Sequence, residues 1–306
     1  MRKVNTFIAG APKCGTTALS EYLRHHPQVM MSQPKEPYYF ADDFPGLKAE
    51  SKFDTFDKYE SIFSSPRENQ KVLCDASVFY LYSDVAIKNI YEYNNESRII
   101  VMLRNPVDMI YSFHSQLVFE GYEDIENFQL AWEKQESRRN GVFLPKHCPD
   151  AKLLMYSDIG MYSIQIGRLF DTIERDRIHI IFFDEFVNQT RQEFDKVLEF
   201  LNLEQRPDFE FQRINENKRA KSVGLRRMLG KIPSPLLSLS KSFKRTLGIQ
   251  GGLGEYLNAL NVVKEVRMPL DPDFKQRLLD HFSEDIGKLE DLVGRKLDSW
   301  KSSNKQ

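Results

Sequence analysis

The chain has 306 residues, 41% of them apolar and 28% charged, with a formal net charge of −1. That length and balance fit a globular enzyme with a substantial core, and exclude a disordered, collagen-like or disulfide-stapled chain. A net charge this small offers no global field for a polyanion, so nucleic acid is not expected as a partner.

The first element is a strand at Val4 to Ala9, closed by a tight Gly/Pro turn, after which Gly15-Thr16-Thr17 opens a helix. Unpaired N–H groups and the positive end of the helix dipole converge at such a joint and make a cradle for an anion. Gly10 and Gly15 have the spacing of a nucleotide-binding P-loop, whose lysine directly follows its second glycine. Here Thr16 holds that place, and the only lysine of the loop is Lys13. The loop is therefore read as a phosphate site built for something other than ATP or GTP. The first helix ends at His25-His26-Pro27, and both histidines are read as helix-end residues.

A short strand at Val29 to Met31 leads into Gln33-Pro34-Lys35-Glu36-Pro37-Tyr38-Tyr39-Phe40. Further strands are expected at Lys71–Ala76, with Asp75 near its end, at Ile99–Leu103 and at Ile178–Phe183. Arg104 follows the fourth strand, and Ser112 lies eight residues later on a helix begun by Pro106. A guanidinium with its fixed fork of donors and a hydroxyl can grip one phosphate from two sides. His114, two residues on, is read as structural.

Apolar residues recur at helical spacing at Tyr162, Ile166, Leu169, Phe170 and Ile173, at Phe194, Val197, Leu198 and Leu201, and from Leu278 to Val293. Strand–helix alternation predicts a parallel sheet with helices on both faces and ligands at the carboxyl ends of the strands. The expected fold is one α/β domain with a P-loop-NTPase-like parallel sheet and a helical carboxy-terminal addition. Its core is residues 1–203, followed by a variable basic segment at 204–270 and a terminal helix at 271–300. Three cysteines at unrelated spacings (Cys14, Cys74, Cys148) suggest neither a disulfide framework nor a metal site. No signal-peptide core precedes the first strand and no apolar run is long enough to span a membrane, so a reducing, cytoplasmic setting is expected.

Pro12-Lys13-Cys14-Gly15-Thr16-Thr17 resembles the 5′-phosphosulfate loop of the sulfotransferases that use 3′-phosphoadenosine 5′-phosphosulfate (PAPS). Arg104 and Ser112 stand at the spacing of that family's 3′-phosphate motif. The resemblance implies that Lys13, Cys14, Gly15, Thr16, Thr17 and Ala18 bind the cofactor's 5′ end, and that Arg104 and Ser112 bind its 3′-phosphate. Lys13 would also stabilise the leaving phosphate oxygen. Heparan-sulfate-type and related bacterial members carry Lys-Glu followed by aromatic residues where this chain has Lys35-Glu36, which assigns Glu36 as catalytic base; the cytosolic small-molecule members use a histidine. Asp75-Ala76-Ser77-Val78-Phe79-Tyr80 is similar to a segment near the acceptor, and Leu289 to Trp300 to the family's closing helix and Trp.

The chain departs from the family between residues 203 and 270. Golgi members have a disulfide-bonded loop and a Lys-Gly-Arg lid there, whereas this chain has no cysteine beyond Cys148 and no such tripeptide. Lys264 and Arg267 are the nearest candidates for the lid. Residues 217–254 carry nine Lys or Arg and no acid. They are read first as an amphipathic cover with a solvated basic face, and otherwise as a surface for an anionic saccharide or a peripheral membrane contact.

The expected reaction is sulfuryl transfer from PAPS to a hydroxyl or amine of a saccharide, lipid or small metabolite. No metal is expected, because a sulfuryl group carries less negative charge than a phosphoryl group. Two other readings stay open. One is a P-loop kinase using ATP and Mg²⁺, with Asp75 as metal ligand; the other is a nucleotide-binding protein without turnover. The sequence specifies neither the acceptor nor an oligomeric state.

Overall fold

The computed structural model describes residues 2–212, 218–220, 262–264 and 268–302. Its centre is a five-stranded parallel sheet: β1 (Thr6–Gly10), β2 (Val29–Met31), β3 (Val72–Ala76), β4 (Arg98–Leu103) and β5 (Ile178–Phe182), in the spatial order β2-β3-β1-β4-β5. Residues of β1, β3 and β4 are buried almost without exception, as strands covered on both faces require. Phe7 stands opposite Asp75 on one side and Ile99 on the other.

The chain leaves β1 toward β2 and β3 on one side, then crosses to β4 and β5 on the other. Connections diverge between β1 and β4, and that divergence opens a crevice beyond their carboxyl ends. The loop after β1 is pinned there by the Ala11 N–H, which donates to the Met102 carbonyl at 2.8 Å.

Helices fill the connections. α1 (Thr16–Arg24) follows β1, and α2 (Pro45–Ser51) and α3 (Phe56–Ser61) lie between β2 and β3. α4 (Ala86–Tyr93) leads to β4, and α5 (Pro106–Glu120) leaves it. Next come α6 (Phe128–Glu133), α7 (Gln135–Arg139), α8 (Tyr156–Gly160) and α9 (Tyr162–Thr172), with α10 (Phe183–Asn188) and α11 (Thr190–Phe200) after β5. The fifth strand stops at Phe182, the last residue to pair with β4 through Leu103. Phe183 therefore opens a helix instead of closing the strand.

Lys218–Ala220 and Val262–Lys264 form two short antiparallel strands, β6 and β7, with Lys264 opposite Lys218. Arg267 lies outside the described residues, as does the basic segment at 217–254 apart from Lys218–Ala220.

The terminal helix α12 (Pro272–Val293) is set by its ends: Asp271 Oδ1 accepts from the Phe274 N–H at 3.0 Å, and Gly294 closes it in left-handed backbone. Its buried stripe of Phe274, Leu278, Leu279, Phe282, Ile286 and Leu289 packs on α9, and a β-carbon on Gly160, the last residue of α8, would come within 2.5 Å of the Phe282 ring. A last turn, α13 (Asp298–Lys301), buries Trp300. The Trp300 carbonyl accepts from Asn105 Nδ2 at 3.2 Å, while Asn105 Oδ1 accepts from the Val107 N–H and caps α5. The carboxy terminus thereby braces the turn that carries Arg104.

Asp75 is fully buried on β3. Its carboxylate accepts from the hydroxyls of Ser77 and Tyr80 at 2.8 Å and of Tyr59 at 3.1 Å. Burial nevertheless pushes its carboxyl up from 3.8 to about 6. Between these values the folded protein holds a proton that the unfolded chain has released, so the stability owed to this residue falls as pH rises. Chemical denaturation of wild type and Asp75→Asn at pH 4 and pH 7 is expected to show the difference moving against wild type by about 2 kcal/mol.

Candidate active site

A cleft of about 1380 Å³ lies beyond the carboxyl ends of β1 and β4. At one end it is lined by Lys13, Gly15, Thr16, Thr17, Ala18, Arg104 and Ser112. Lys13 and Gly15 both adopt left-handed backbone, at φ 60° and 90°. At Gly15 this conformation and the space coincide, because a β-carbon would meet the Phe183 ring at 3.2 Å and Met102 Cε at 3.3 Å.

No side chain caps α1 and no acid stands in its first turn. The first intrahelical bonds run from Ala18 and Leu19 to the Gly15 carbonyl, at 2.9 and 3.1 Å. The Thr16 and Thr17 N–H groups precede them, at the positive end of the helix dipole.

Cys14 contributes backbone only. Its Sγ donates to the Pro12 carbonyl at 3.3 Å and lies 3.9 Å from the Tyr162 hydroxyl. Burial pushes the thiol up to about 12, outweighing the nearby Arg104, so it stays protonated and faces the core.

Arg104 spreads its guanidinium over the Phe183 ring at 4.7 Å, with Nη2 4.0 Å from Asp108. Its Nε is buried and has no hydrogen-bond partner among the described residues. A buried donor beside an open helix start fits an anion, which would complete both. Ser112, buried on α5, lines the same cleft. The two predicted anion-binding elements thus share one wall, with Phe183 behind both.

Glu36 lines the same cleft. Lys35 Nζ donates to its Oε1, and the Tyr38 hydroxyl to its Oε2. Both Glu36 and Tyr38 are left-handed, at φ 65° and 53°. The Tyr38 N–H donates to Ser77 Oγ at 3.2 Å, which itself donates to Asp75. Burial first, and then the Glu36 charge, hold the Tyr38 phenol well above its ordinary value, so it remains a donor.

Two contributors are missing from the sequence reading. Tyr38 belongs to the aromatic run after Lys35-Glu36, a signal that marked the loop without marking the residue. Phe183 gave no signal, because it reads as the end of an apolar strand.

The remaining candidates fall elsewhere. Asp75 directs its oxygens to three hydroxyls and does not line the cleft, so its carboxylate is not at hand for a metal there. In the segment expected near the acceptor, Val78 and Phe79 reach the cleft, whereas Ser77 and Tyr80 serve Asp75. Among the described residues no three His, Cys, Asp or Glu side chains are grouped to hold a metal ion. His114 is buried with Nε2 2.8 Å from the Ile125 carbonyl, and His25 and His26 bond to the carbonyls of Glu21 and Glu204. None of the three lines the cleft. Lys264 ends β7, and Arg267 lies outside the described residues.

Comparison with known proteins bears on this geometry. A family model described as "Sulfotransferase domain" matches residues 3–226. Carbohydrate sulfotransferase 15 of Rattus norvegicus is 22% identical over 249 residues, covering 64% of this chain and 43% of its own length. Heparan sulfate glucosamine 3-O-sulfotransferase 5 of Mus musculus is 25% identical over 196 residues, covering 64% of this chain and 52% of its own. The chain thus spans about half the length of these curated relatives. A crystal structure of a sulfotransferase from Alicyclobacillus acidocaldarius has a TM-score of 0.71 at 24% identity, covers 99% of this chain and 100% of its own, and shares the fold.

Gly15→Ala tests the loop's geometry. An L-residue in left-handed backbone costs about 1–2 kcal/mol, and here it also displaces the Phe183 ring. A stability loss of at least that size is expected in urea denaturation.

Proposed function

Because the chain belongs to the sulfotransferase domain family, we propose that this cleft transfers a sulfuryl group from PAPS to a hydroxyl or amine of an acceptor. The observation that carries the reading is the placement in one cleft of an open helix start, the unpartnered Arg104 Nε and the doubly held Glu36. PAPS supplies the sulfuryl group and departs as adenosine 3′,5′-bisphosphate. The cleft exceeds the roughly 300–1,000 Å³ usual for one small ligand, which suits a site for two substrates.

The roles follow from position. Lys13 and the N–H groups of Thr16 and Thr17 hold the 5′ end and offset negative charge on the departing oxygen. Arg104 and Ser112 bind the 3′-phosphate, with the Phe183 ring 4.7 Å from the guanidinium. Tyr22, Phe186 and Phe211 give the cleft an aromatic wall beside α1, suited to a purine. Glu36 takes the acceptor's proton as the oxygen or nitrogen attacks sulfur and the bond from sulfur to the phosphate oxygen breaks. Lys35 and Tyr38 position the Glu36 oxygens.

Two measurements test the reading. Calorimetry is expected to show adenosine 3′,5′-bisphosphate binding tenfold or more above AMP, with most of the difference lost in Arg104→Ala, since a charge-assisted bond contributes about 1.5–3 kcal/mol. Equal affinities for the two nucleotides would remove the 3′-phosphate site. Glu36→Gln keeps size but accepts no proton, so turnover should fall by roughly 10²–10⁴ while nucleotide affinity changes little. A fully active variant would place the base elsewhere.

A further inference from the structure

The relatives' names attach saccharide acceptors to those proteins, but the acceptor side of this cleft has a different character. Leu47, Val78, Phe79, Phe113, Leu117 and Leu153 form its floor. They come from α2, the turn after β3, α5 and the turn before α8, and the Phe79 ring lies 5.6 Å from Phe113 and 6.0 Å from Tyr38. The apolar surface therefore adjoins the residue that holds Glu36.

Charge on this side runs against an anionic acceptor. Among the described residues, the only lysine or arginine lining it is Lys35, whose ammonium is bound to Glu36. Glu50 stands at the exposed rim and accepts from the Tyr122 hydroxyl at 2.5 Å. Burial and the Glu50 charge both raise the Tyr122 phenol, so this partner stays neutral and leaves the carboxylate charge in place. Recognition of a uronate or sulfated sugar calls for arginine forks or free ammonium groups, and the described residues of this wall supply carboxylates and hydrocarbon.

We infer that the acceptor is an uncharged or amine-bearing molecule with an apolar body, lodged on the Leu47–Phe79–Leu117 floor with its hydroxyl or amine at Glu36. This rests on the transferase reading and narrows it to a substrate class. Sulfation then puts a permanent negative charge beside Glu36 and Glu50 on a product that entered without one, which favours its release.

Calorimetry against the full chain saturated with adenosine 3′,5′-bisphosphate tests this, using octyl glucoside below its micellar concentration, glucose and a heparosan hexasaccharide. Octyl glucoside is expected to bind at least tenfold tighter than either sugar, with little dependence on salt. Leu117→Ala should cut that preference about tenfold, and Glu50→Lys, at the exposed rim, should raise the hexasaccharide's affinity several-fold. Equal or tighter binding of the hexasaccharide by wild type, or no binding of octyl glucoside, overturns the proposal. Failure of the bisphosphate itself to bind would instead overturn the transferase reading beneath it.

Discussion

The reversal of strand order between β1 and β4 is the constraint on which the rest of the molecule depends. Loops from these neighbouring strands leave in opposite directions, so their carboxyl ends open into one crevice, and Lys13 and Arg104 meet although they are far apart in the chain. Phe183, from the end of β5, fills the space behind both. Its ring would crowd a β-carbon at Gly15 and lies 4.7 Å from the Arg104 guanidinium. Three strand ends are thus joined through one aromatic ring, and Asn105, tied to Trp300, fixes the turn beside it.

Opposite that wall, a costly polar cluster sets the position of Glu36. A fully buried carboxylate with three hydroxyl donors is less stable than well-packed hydrocarbon of similar volume. What the Asp75 cluster supplies is a fixed Ser77 hydroxyl, which receives the Tyr38 N–H and holds a left-handed segment containing Glu36 and Tyr38. Two non-glycine residues at positive φ so close together are sparse in proteins and persist where the surroundings over-determine them. Tyr38 then returns its hydroxyl to Glu36, so the strain and the buried charge both act on the orientation of one carboxylate.

Local pattern made much of this legible, and its limits are physical. The anion loop, Arg104 with Ser112, and the terminal helix each follow from turn chemistry or periodicity within a short window, and the structure brings the first two together. Asp75 shows the limit. A carboxylate at a strand end has the same sequence signature whether it faces a cleft or the core, and only the hydroxyls of Tyr59 and Tyr80 decide between them. Cys14 is similar: the motif fixes its backbone, while the direction of its thiol depends on Tyr162, far along the chain. Phe183 is decided by pairing, since β4 ends at Leu103 and leaves nothing for it to bond.

The two ends of the cleft also divide the electrostatic work. A lysine directly after Gly15 would stand on α1 itself. Lys13 sits in the turn before it, so small threonines occupy the helix start and leave its N–H groups open to a ligand. The α1 dipole adds the equivalent of roughly half a positive charge to those of Lys13 and Arg104. These fixed positive groups give that end of the cleft the polarity an anionic donor calls for. At the other end the Lys35–Glu36 pair is close to neutral, and the floor beyond it is hydrocarbon. Such polarity would orient an anionic donor, and it would leave Glu36 beside the less polar of two ligands. Low surrounding polarity strengthens the hydrogen bonds that hold Glu36, so the same floor that would seat an apolar acceptor also keeps the carboxylate aimed at it.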